Sequence, residues 1–300
     1  MRKLTLILKI PSAILVSMRP QQWVKNTILF AGLIFSKHLL DSAYLFRSLS
    51  GFLIFCLLSG SIYIINDIFD IDEDKKHPSK CRRPIASGRL NIFTAVIWAM
   101  LSSAVSLFLA FKLNLLFGLV ALIYFIQNLL YSRYFKHVVI LDVMIVAAGF
   151  VLRAIAGAAI IAVNASEWLI LCAFLLALFL GFVKRRQELV FLGDNAKSHR
   201  KILQEYSSYF LDAMIYIATA STVIAYAFYT MSEETINKFH TDKLILTLPF
   251  VLYGIYRYLY LVFQKGEGDN PTRTLLKDIP LQVDIILWIA VINLIIYFAR

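Results

Sequence analysis

The chain has 300 residues, of which 60% are hydrophobic, and it carries a formal net charge of +11 at pH 7. Several apolar runs reach the roughly 20 residues that a helix needs to cross a bilayer, which excludes an ordinary water-soluble domain. Inside lipid every backbone polar group needs a partner within the protein, and the runs are continuous rather than alternating. The sequence therefore predicts an all-α, polytopic membrane protein.

Nine apolar segments follow one another along the chain, and short linkers join them. None of the linkers suggests a separate soluble module, so residues 1–300 are predicted to form one membrane domain. The predicted spans are 22–40, 45–66, 91–111, 114–132, 138–163, 167–184, 209–231, 243–263 and 281–299.

The distribution of basic residues predicts the orientation, because cytoplasmic loops collect Lys and Arg. With nine spans, 22 of the 30 basic residues fall in the N-terminal segment and the even-numbered loops, and six fall on the opposite side. This split predicts a cytoplasmic N-terminus and an external C-terminus in a bacterial inner or plasma membrane. Since topology explains the positive charge, no nucleic-acid partner is expected.

The second predicted span leads into the charged sequence "NDIFDIDEDKKHPSKCRRPIASG". If the helix continues into it, Asp67, Asp70 and Asp74 lie within about 60° of one another, and Asn66 flanks the same side. A cluster of hard oxygen ligands suits Mg²⁺, which proteins usually hold with one or two carboxylates together with substrate phosphates. The spacing thus predicts Asp67, Asp70 and Asp74 as metal ligands.

The same sequence also fits a solvated helix end followed by ordinary loop charges. The helical spacing of the acids, and the basic "KCRRP" directly after them, favour the metal and phosphate site. Asp72 falls on the opposite face of the helix, and we do not expect it to take part.

The motif "NDIFDIDED" resembles the NDxxDxxxD motif of the UbiA superfamily of intramembrane prenyltransferases, which are nine-helix bundles with an active site open to the cytoplasm. Within that superfamily, five blocks in order resemble the decaprenyl-phosphate phosphoribosyltransferases. Together they extend over essentially the whole chain. The blocks are "MRPQQWVKN", "NDIFDIDEDKKHPSKCRRPIASG", "YSRYFKHVVILDVMIVAAGFVLRAIAGA", "KRRQEL" and "GEGDNPTRTLLKD".

The resemblance implies a Mg²⁺-dependent enzyme that transfers 5-phosphoribose from phosphoribosyl pyrophosphate to a polyprenyl phosphate. Pyrophosphate would be released, and the lipid product would feed cell-envelope polysaccharide synthesis. It also implies a catalytic site at Asp67, Asp70 and Asp74, with Asn66 beside them. The sequence does not fix the oligomeric state, and a homo-oligomer is compatible with it.

Both implied substrates are anions, so cationic side chains on the cytoplasmic side are expected to bind their phosphates. Arg153 lies deeper, within the fifth predicted span, and either binds lipid phosphate or pairs with an acid inside the membrane. The predicted substrate-binding residues are Lys25, Lys80, Arg82, Arg83, Tyr131, Lys136, Asp142, Arg153, Lys184 and Arg185.

Two other functions fit parts of the sequence. Aromatic prenyltransferases of the superfamily carry a second acidic motif, whereas here Asp142 is followed by "VMIVAAGF" without another carboxylate. A transporter would be expected to show broken helices and repeat symmetry, and the sequence shows neither. The polar segment 192–209 is predicted to be a cytoplasmic excursion that could cover the site.

Overall fold

The computed structural model describes residues 2–192, 201–267 and 271–298, so the predicted excursion 192–209 and the block 266–278 lie partly outside the described residues. Every regular element in these ranges is a helix, which confirms the all-α class. The α-helices are α1 (Arg2–Ser17), α2 (Phe30–Phe35), α3 (Ser42–Phe69), α4 (Ile71–Lys76), α5 (Ile92–Leu113), α6 (Leu115–Arg133), α7 (Leu141–Ile160), α8 (Glu167–Leu192), α9 (Ser208–Met231), α10 (Glu233–Phe239), α11 (Leu248–Phe263), α12 (Pro271–Lys277) and α13 (Ile279–Phe298). The 3₁₀ helices are Pro20–Leu29, Lys80–Arg82, Phe135–His137, Lys201–Gln204 and Lys243–Thr247.

Eight helices among the described residues are long and apolar enough to cross a membrane. They are α3, α5 to α9, α13, and α11 together with the 3₁₀ helix before it, and they correspond to eight of the nine predicted spans. Large apolar side chains such as Phe93, Met100 and Leu115 are exposed on α5 and α6, where lipid tails would cover them. These are the features of an integral membrane protein.

The first predicted span, 22–40, is built differently from the others. It consists of the 3₁₀ helix Pro20–Leu29 followed directly by α2, and it packs against α7 inside the bundle. A Cβ atom at Gly157 would lie 2.0 Å from the Leu29 carbonyl oxygen, and one at Gly32 would lie 2.9 Å from the Gly157 carbonyl oxygen. The backbones meet here because neither glycine has a side chain. This segment therefore belongs to the interior of the bundle.

The remaining helices pack mostly against their neighbours in the chain, from α3 through α5, α6, α7 and α8 to α9. Helices α11 and α13 pack on each other, and Phe35 of α2 joins the same apolar cluster as Ile292 of α13. Seven of the spanning helices, together with the 3₁₀ helix Pro20–Leu29 and α2, surround a central cavity. The loops that follow α3 and α6, and the C-terminal part of α8, lie at one end of it.

We expect Gly157→Ala to lower the stability of the protein by about 2 kcal/mol, because the new methyl group would push the Leu29 backbone away from α7. The measurement is the melting temperature in detergent. Gly149→Ala, on the same helix, is the matched control, since its Cβ would meet nothing closer than 3.5 Å. Equal melting temperatures for the two variants would contradict the proposed backbone contact.

Candidate active site

A cavity of about 1480 Å³ runs inside the bundle and has two chemically different parts. Its interior is lined by apolar and aromatic side chains, among them Phe35, Leu176, Phe250 and Trp288. Its other end, which we call the charged mouth, is lined by polar side chains that the sequence singled out. These are Lys25, Asn66, Asp70, Asp74, Lys80, Arg83, Tyr131, Lys136, Asp142, Lys184 and Arg185.

The acidic sequence continues from α3 into α4 with one interruption. Asp70, with φ −96° and ψ 9°, leaves the helical conformation, although its N–H still donates to the Asn66 carbonyl oxygen at 2.9 Å. Asp67 and Asp74 are 2% and 3% exposed, whereas Asp72 is exposed to the outside. The helical spacing therefore separates the acids that turn inward from Asp72, even though the helix is not continuous.

Arg83 holds the two buried acids together. Its Nη1 lies 3.0 Å from Asp67 Oδ1 and 2.6 Å from Asp74 Oδ2, and Arg19 forms a second ion pair with Asp67. A buried carboxylate without a cation would be costly, so these contacts offset the desolvation of both acids. The loop that carries Arg83 is thereby fastened to the end of α3.

The connection between α6 and α7 contributes a further ion pair. Lys136, in the 3₁₀ helix Phe135–His137, pairs with Asp70, and the Ser132 hydroxyl donates to Asn66 Oδ1. Asn66 and Asp70 of the motif are therefore held by the C-terminal end of α6 and the turn after it.

Asp142 forms a separate cluster on the other side of the mouth. It is fully buried, and its Oδ2 accepts from Arg185 Nε at 2.5 Å while its Oδ1 accepts from the Tyr206 hydroxyl at 2.8 Å. Arg185 also donates from Nη1 to Glu188 Oε2 at 2.8 Å and lies 3.4 Å from the Tyr131 hydroxyl. Both oxygens of Asp142 are thus engaged by the protein itself.

Lys25 and Lys80 differ from the other cations of the mouth. Arg83, Lys136 and Arg185 each pair with a carboxylate, whereas no described residue gives the Lys25 or the Lys80 ammonium a hydrogen bond or an ion pair. Lys184 lies 3.7 Å from Glu188. Lys25 and Lys80 are therefore cations that an incoming anion can reach without displacing an acid.

Burial changes the pKa of two groups in the segment that follows α3, one in α4 and one in the 3₁₀ helix after it. Loss of solvent raises the pKa of the Asp74 carboxyl, and Arg83 opposes this effect. Loss of solvent likewise lowers the pKa of the Lys80 ammonium, and nearby Glu188 opposes it. An anion that binds beside Lys80 and leaves Glu188 in place would favour the charged form of the Lys80 ammonium.

Three predicted residues lie outside the cavity lining in the described part of the chain. Asp67 is covered by its arginine partners, and the Arg82 side chain is exposed. Arg153 is 6% exposed and donates to Asn26 Oδ1 at 2.8 Å, to the Tyr124 hydroxyl at 2.5 Å and to a backbone carbonyl. Its hydrogen-bond partners are neutral groups rather than an acid.

No group of three His, Cys, Asp or Glu side chains in the described residues is placed to hold a metal ion. Arg83 and Lys136 instead occupy the carboxylates of the motif. Mg²⁺, however, is often bound by only one or two carboxylates plus substrate phosphates. Asp70 and Asp74 both line the cavity, so the chemistry of the donors fits a Mg²⁺ ion that arrives together with a phosphorylated substrate.

Four side chains of the site are not among the residues predicted from the sequence: Arg19, Ser132, Glu188 and Tyr206. Glu188 follows Lys184 and Arg185 by four and three residues, and this helical spacing could have identified it as their partner. Arg19 belongs to the "MRPQQWVKN" block but was not distinguished within it. Ser132 lies in the block that begins at Tyr131, and Tyr206 lies in the predicted excursion 192–209, but no sequence signal distinguishes either residue from its neighbours.

The UbiA prenyltransferase family matches residues 27–277. The chain belongs to this family. A decaprenyl-phosphate phosphoribosyltransferase of Mycolicibacterium smegmatis is 31% identical over 299 residues, which cover 96% of this chain and 93% of that protein. The enzyme of the same name from Corynebacterium glutamicum is 30% identical over 295 residues, covering 94% and 86%.

A solved structure of a UbiA homologue from Archaeoglobus fulgidus, bound to GPP and Mg²⁺, has the same fold. Its TM-score is 0.71 at 23% identity, and the match covers 95% of this chain and 99% of that one. The predicted UbiA-like bundle is thus confirmed, and membership of the UbiA family supports a transferase activity for this chain.

We expect Arg83→Gln to destabilise the protein by about 2 kcal/mol or more, since it leaves Asp67 and Asp74 buried without this cation. The effect should be smaller than that of a fully buried pair, because the Arg83 side chain is 24% exposed. Thermal unfolding in detergent measures it. Arg82→Gln, one residue earlier and exposed, should change the melting temperature little, and equal losses in both variants would contradict the bridging role of Arg83.

Proposed function

We propose that the protein transfers a 5-phosphoribosyl group from phosphoribosyl pyrophosphate to a polyprenyl phosphate and releases pyrophosphate. The observation that carries this proposal is the cavity, which joins a mouth rich in cations and carboxylates to an apolar interior. Such a cavity suits one water-soluble polyanion and one lipid with a phosphate head. Two relatives with about 30% identity over nearly the whole chain are named decaprenyl-phosphate phosphoribosyltransferases, which supports the same reaction.

The lipid would place its isoprenoid tail in the apolar part of the cavity and its phosphate at the boundary with the charged mouth. Lys25 lies at that boundary, because Phe30, Ala31 and Ile34, which follow it in the chain, line the apolar part. It also has no carboxylate partner among the described residues. We therefore assign Lys25 to the lipid phosphate.

Asp70 and Asp74, supported by Asp67 and Asn66, would hold Mg²⁺ together with the diphosphate of the sugar donor. When bound, this ion would act as a Lewis acid that stabilises negative charge on the leaving pyrophosphate. Lys80, Arg83 and Lys136 line the same mouth and supply further positive charge for the phosphates. The protein's contribution is mainly to position the two anions and to compensate their charge.

In the reaction, a phosphate oxygen of the lipid forms a bond to the anomeric carbon of ribose. The bond from that carbon to pyrophosphate breaks, and its electron pair leaves with pyrophosphate. A phosphate monoester has a second pKa of about 6 and is largely dianionic at neutral pH, so the attacking group needs no strong base. His77 accepts backbone hydrogen bonds at Nδ1 from Ser79 and Lys80, which fits a structural role in the loop.

The proposal includes the location of the site. The whole chain would act as one domain in a bacterial plasma membrane, with the N-terminus and the charged mouth in the cytoplasm and the C-terminus outside, as the basic residues predict. The lipid product would serve cell-envelope polysaccharide synthesis, and the active form can be a homo-oligomer. Accessibility of single cysteines introduced at either end of the chain would test the orientation.

The decisive experiment uses purified protein, labelled phosphoribosyl pyrophosphate and a polyprenyl phosphate, with Mg²⁺ or with EDTA. We expect label to enter the extracted lipid only with Mg²⁺. If the label stays in water while prenyl diphosphate and an aromatic acceptor are consumed in a parallel reaction, the protein is an aromatic prenyltransferase of the same fold and the proposal fails.

Asp70→Asn should lower the transfer rate by about 100-fold or more, as expected when a charge that acts on the transition state is lost. Asp72→Asn is the matched control, because Asp72 is exposed on the other side of the same turn. Initial rates at saturating substrates measure both. If Asp70→Asn keeps nearly full activity, the proposed role of Asp70 in the active site is wrong.

Lys25→Met should raise the KM for polyprenyl phosphate by roughly tenfold or more, because a hydrogen bond to a charged group is lost, and should leave the KM for the sugar donor nearly unchanged. The exposed Lys75→Met serves as the control. A rise in the KM for the sugar donor alone would assign Lys25 to the other substrate.

A further inference from the structure

Tyr206 lies outside every motif of the sequence, and its hydroxyl occupies a defined position behind the charged mouth. It accepts from the Ile140 backbone N–H at 2.7 Å and donates to Asp142 Oδ1 at 2.8 Å. The ring is 4% exposed and stacks on Phe210, with 6.0 Å between the ring centroids. A buried side chain with a fixed ring and two directed hydrogen bonds can hold what it contacts in one orientation.

The first of these contacts fixes the start of α7. Ile140 precedes α7 with φ 68° and ψ −46°, a conformation that is a true outlier for a β-branched residue, and no side chain caps the helix there. Strained backbone of this kind persists when the surroundings determine it. The hydrogen bond from the Ile140 N–H to Tyr206 is one such determinant.

The second contact, from the Tyr206 hydroxyl to Asp142, connects Tyr206 to residues that line the cavity. With Oδ1 bound by Tyr206, the Asp142 carboxylate presents Oδ2 to Arg185 Nε at 2.5 Å. This contact orients the guanidinium, whose Nη atoms lie near Glu188 and Tyr131. Arg185, Glu188 and Tyr131 all line the charged mouth. A continuous chain of hydrogen bonds therefore links Ile140, Tyr206, Asp142 and Arg185.

We propose that Tyr206 is a positioning residue, which holds Asp142 so that Arg185 presents its guanidinium edge to a phosphate of the sugar donor. This inference rests on the proposed function. It gives Asp142 a task other than metal binding, since both of its oxygens are used within the protein. Burial chiefly raises the pKa of Tyr206 to about 12, so its hydroxyl remains a proton donor over the physiological range.

Tyr206→Phe removes only the hydroxyl and tests the role directly. We expect the KM for phosphoribosyl pyrophosphate to rise roughly five- to tenfold, with kcat and the KM for the lipid within about twofold, because the loss concerns binding of one substrate. Tyr209→Phe, three residues later and 86% exposed, is the matched control and should behave like the wild type. Identical kinetics for the two variants would overturn the proposal.

A second measurement separates positioning from a general loss of structure. If Tyr206 acts through Arg185, Tyr206→Phe should not weaken binding of phosphoribosyl pyrophosphate any further in an Arg185→Gln background, as measured by calorimetry with Mg²⁺. Additive losses would mean that Tyr206 acts independently of Arg185. Wild-type protein that does not bind this donor at all would overturn the proposed function itself rather than the role of Tyr206 within it.

A further variant covers the case in which Tyr206→Phe folds poorly. Ile140→Gly removes the side chain that makes the positive φ unfavourable, and Ile140 is 40% exposed, so the substitution should stabilise the start of α7. The double variant Ile140→Gly, Tyr206→Phe should then fold and keep the raised KM. If the double variant instead has the same KM for phosphoribosyl pyrophosphate as Ile140→Gly alone, Tyr206 only stabilises the backbone at the start of α7, and the proposal fails.

Discussion

The cost of burying charge inside an apolar bundle governs the structure of this site. Asp67, Asp74 and Asp142 are almost completely withdrawn from solvent, and each contacts an arginine. A buried carboxylate without a cation would cost several kcal/mol, so the acids fix where the cations lie. The loops after α3 and α6 and the C-terminal part of α8 are drawn together by these ion pairs, and they form the charged mouth.

The same ion pairs determine how much positive charge the mouth offers to an anionic substrate. Arg83, Lys136 and Arg185 already have carboxylates as partners, so their charge is largely compensated before a substrate arrives. Lys25 has no such partner among the described residues and lies next to the apolar interior. A metal ion bound by the carboxylates would replace arginine and lysine as their partner, so that these cations could bind phosphates. In the proposed reaction, binding of the sugar donor therefore depends on Mg²⁺.

A second constraint is geometric. The 3₁₀ helix that carries Lys25 can approach α7 only because Gly157 has no side chain, and Arg153, one turn earlier on α7, hydrogen-bonds Asn26 in that same 3₁₀ helix. Arg153 therefore links α7 to this 3₁₀ helix through hydrogen bonds to neutral groups. Its buried charge has no acid among its hydrogen-bond partners in the described residues, and it lies close to Lys25, the residue assigned to the lipid phosphate in the proposed function.

The sequence by itself determined the membrane class, eight of the spanning helices and the chemistry of the mouth, because hydropathy, helical spacing and residue type are local properties. It separated Asp67, Asp70 and Asp74 from Asp72 for the same reason. Only the tertiary structure decided that 22–40 packs inside the bundle, that Arg153 has neutral partners, and that Asp142 is held by Arg185 and Tyr206. Those features depend on contacts between residues far apart in the chain, such as Ile140 with Tyr206 and Leu29 with Gly157, which no local pattern encodes.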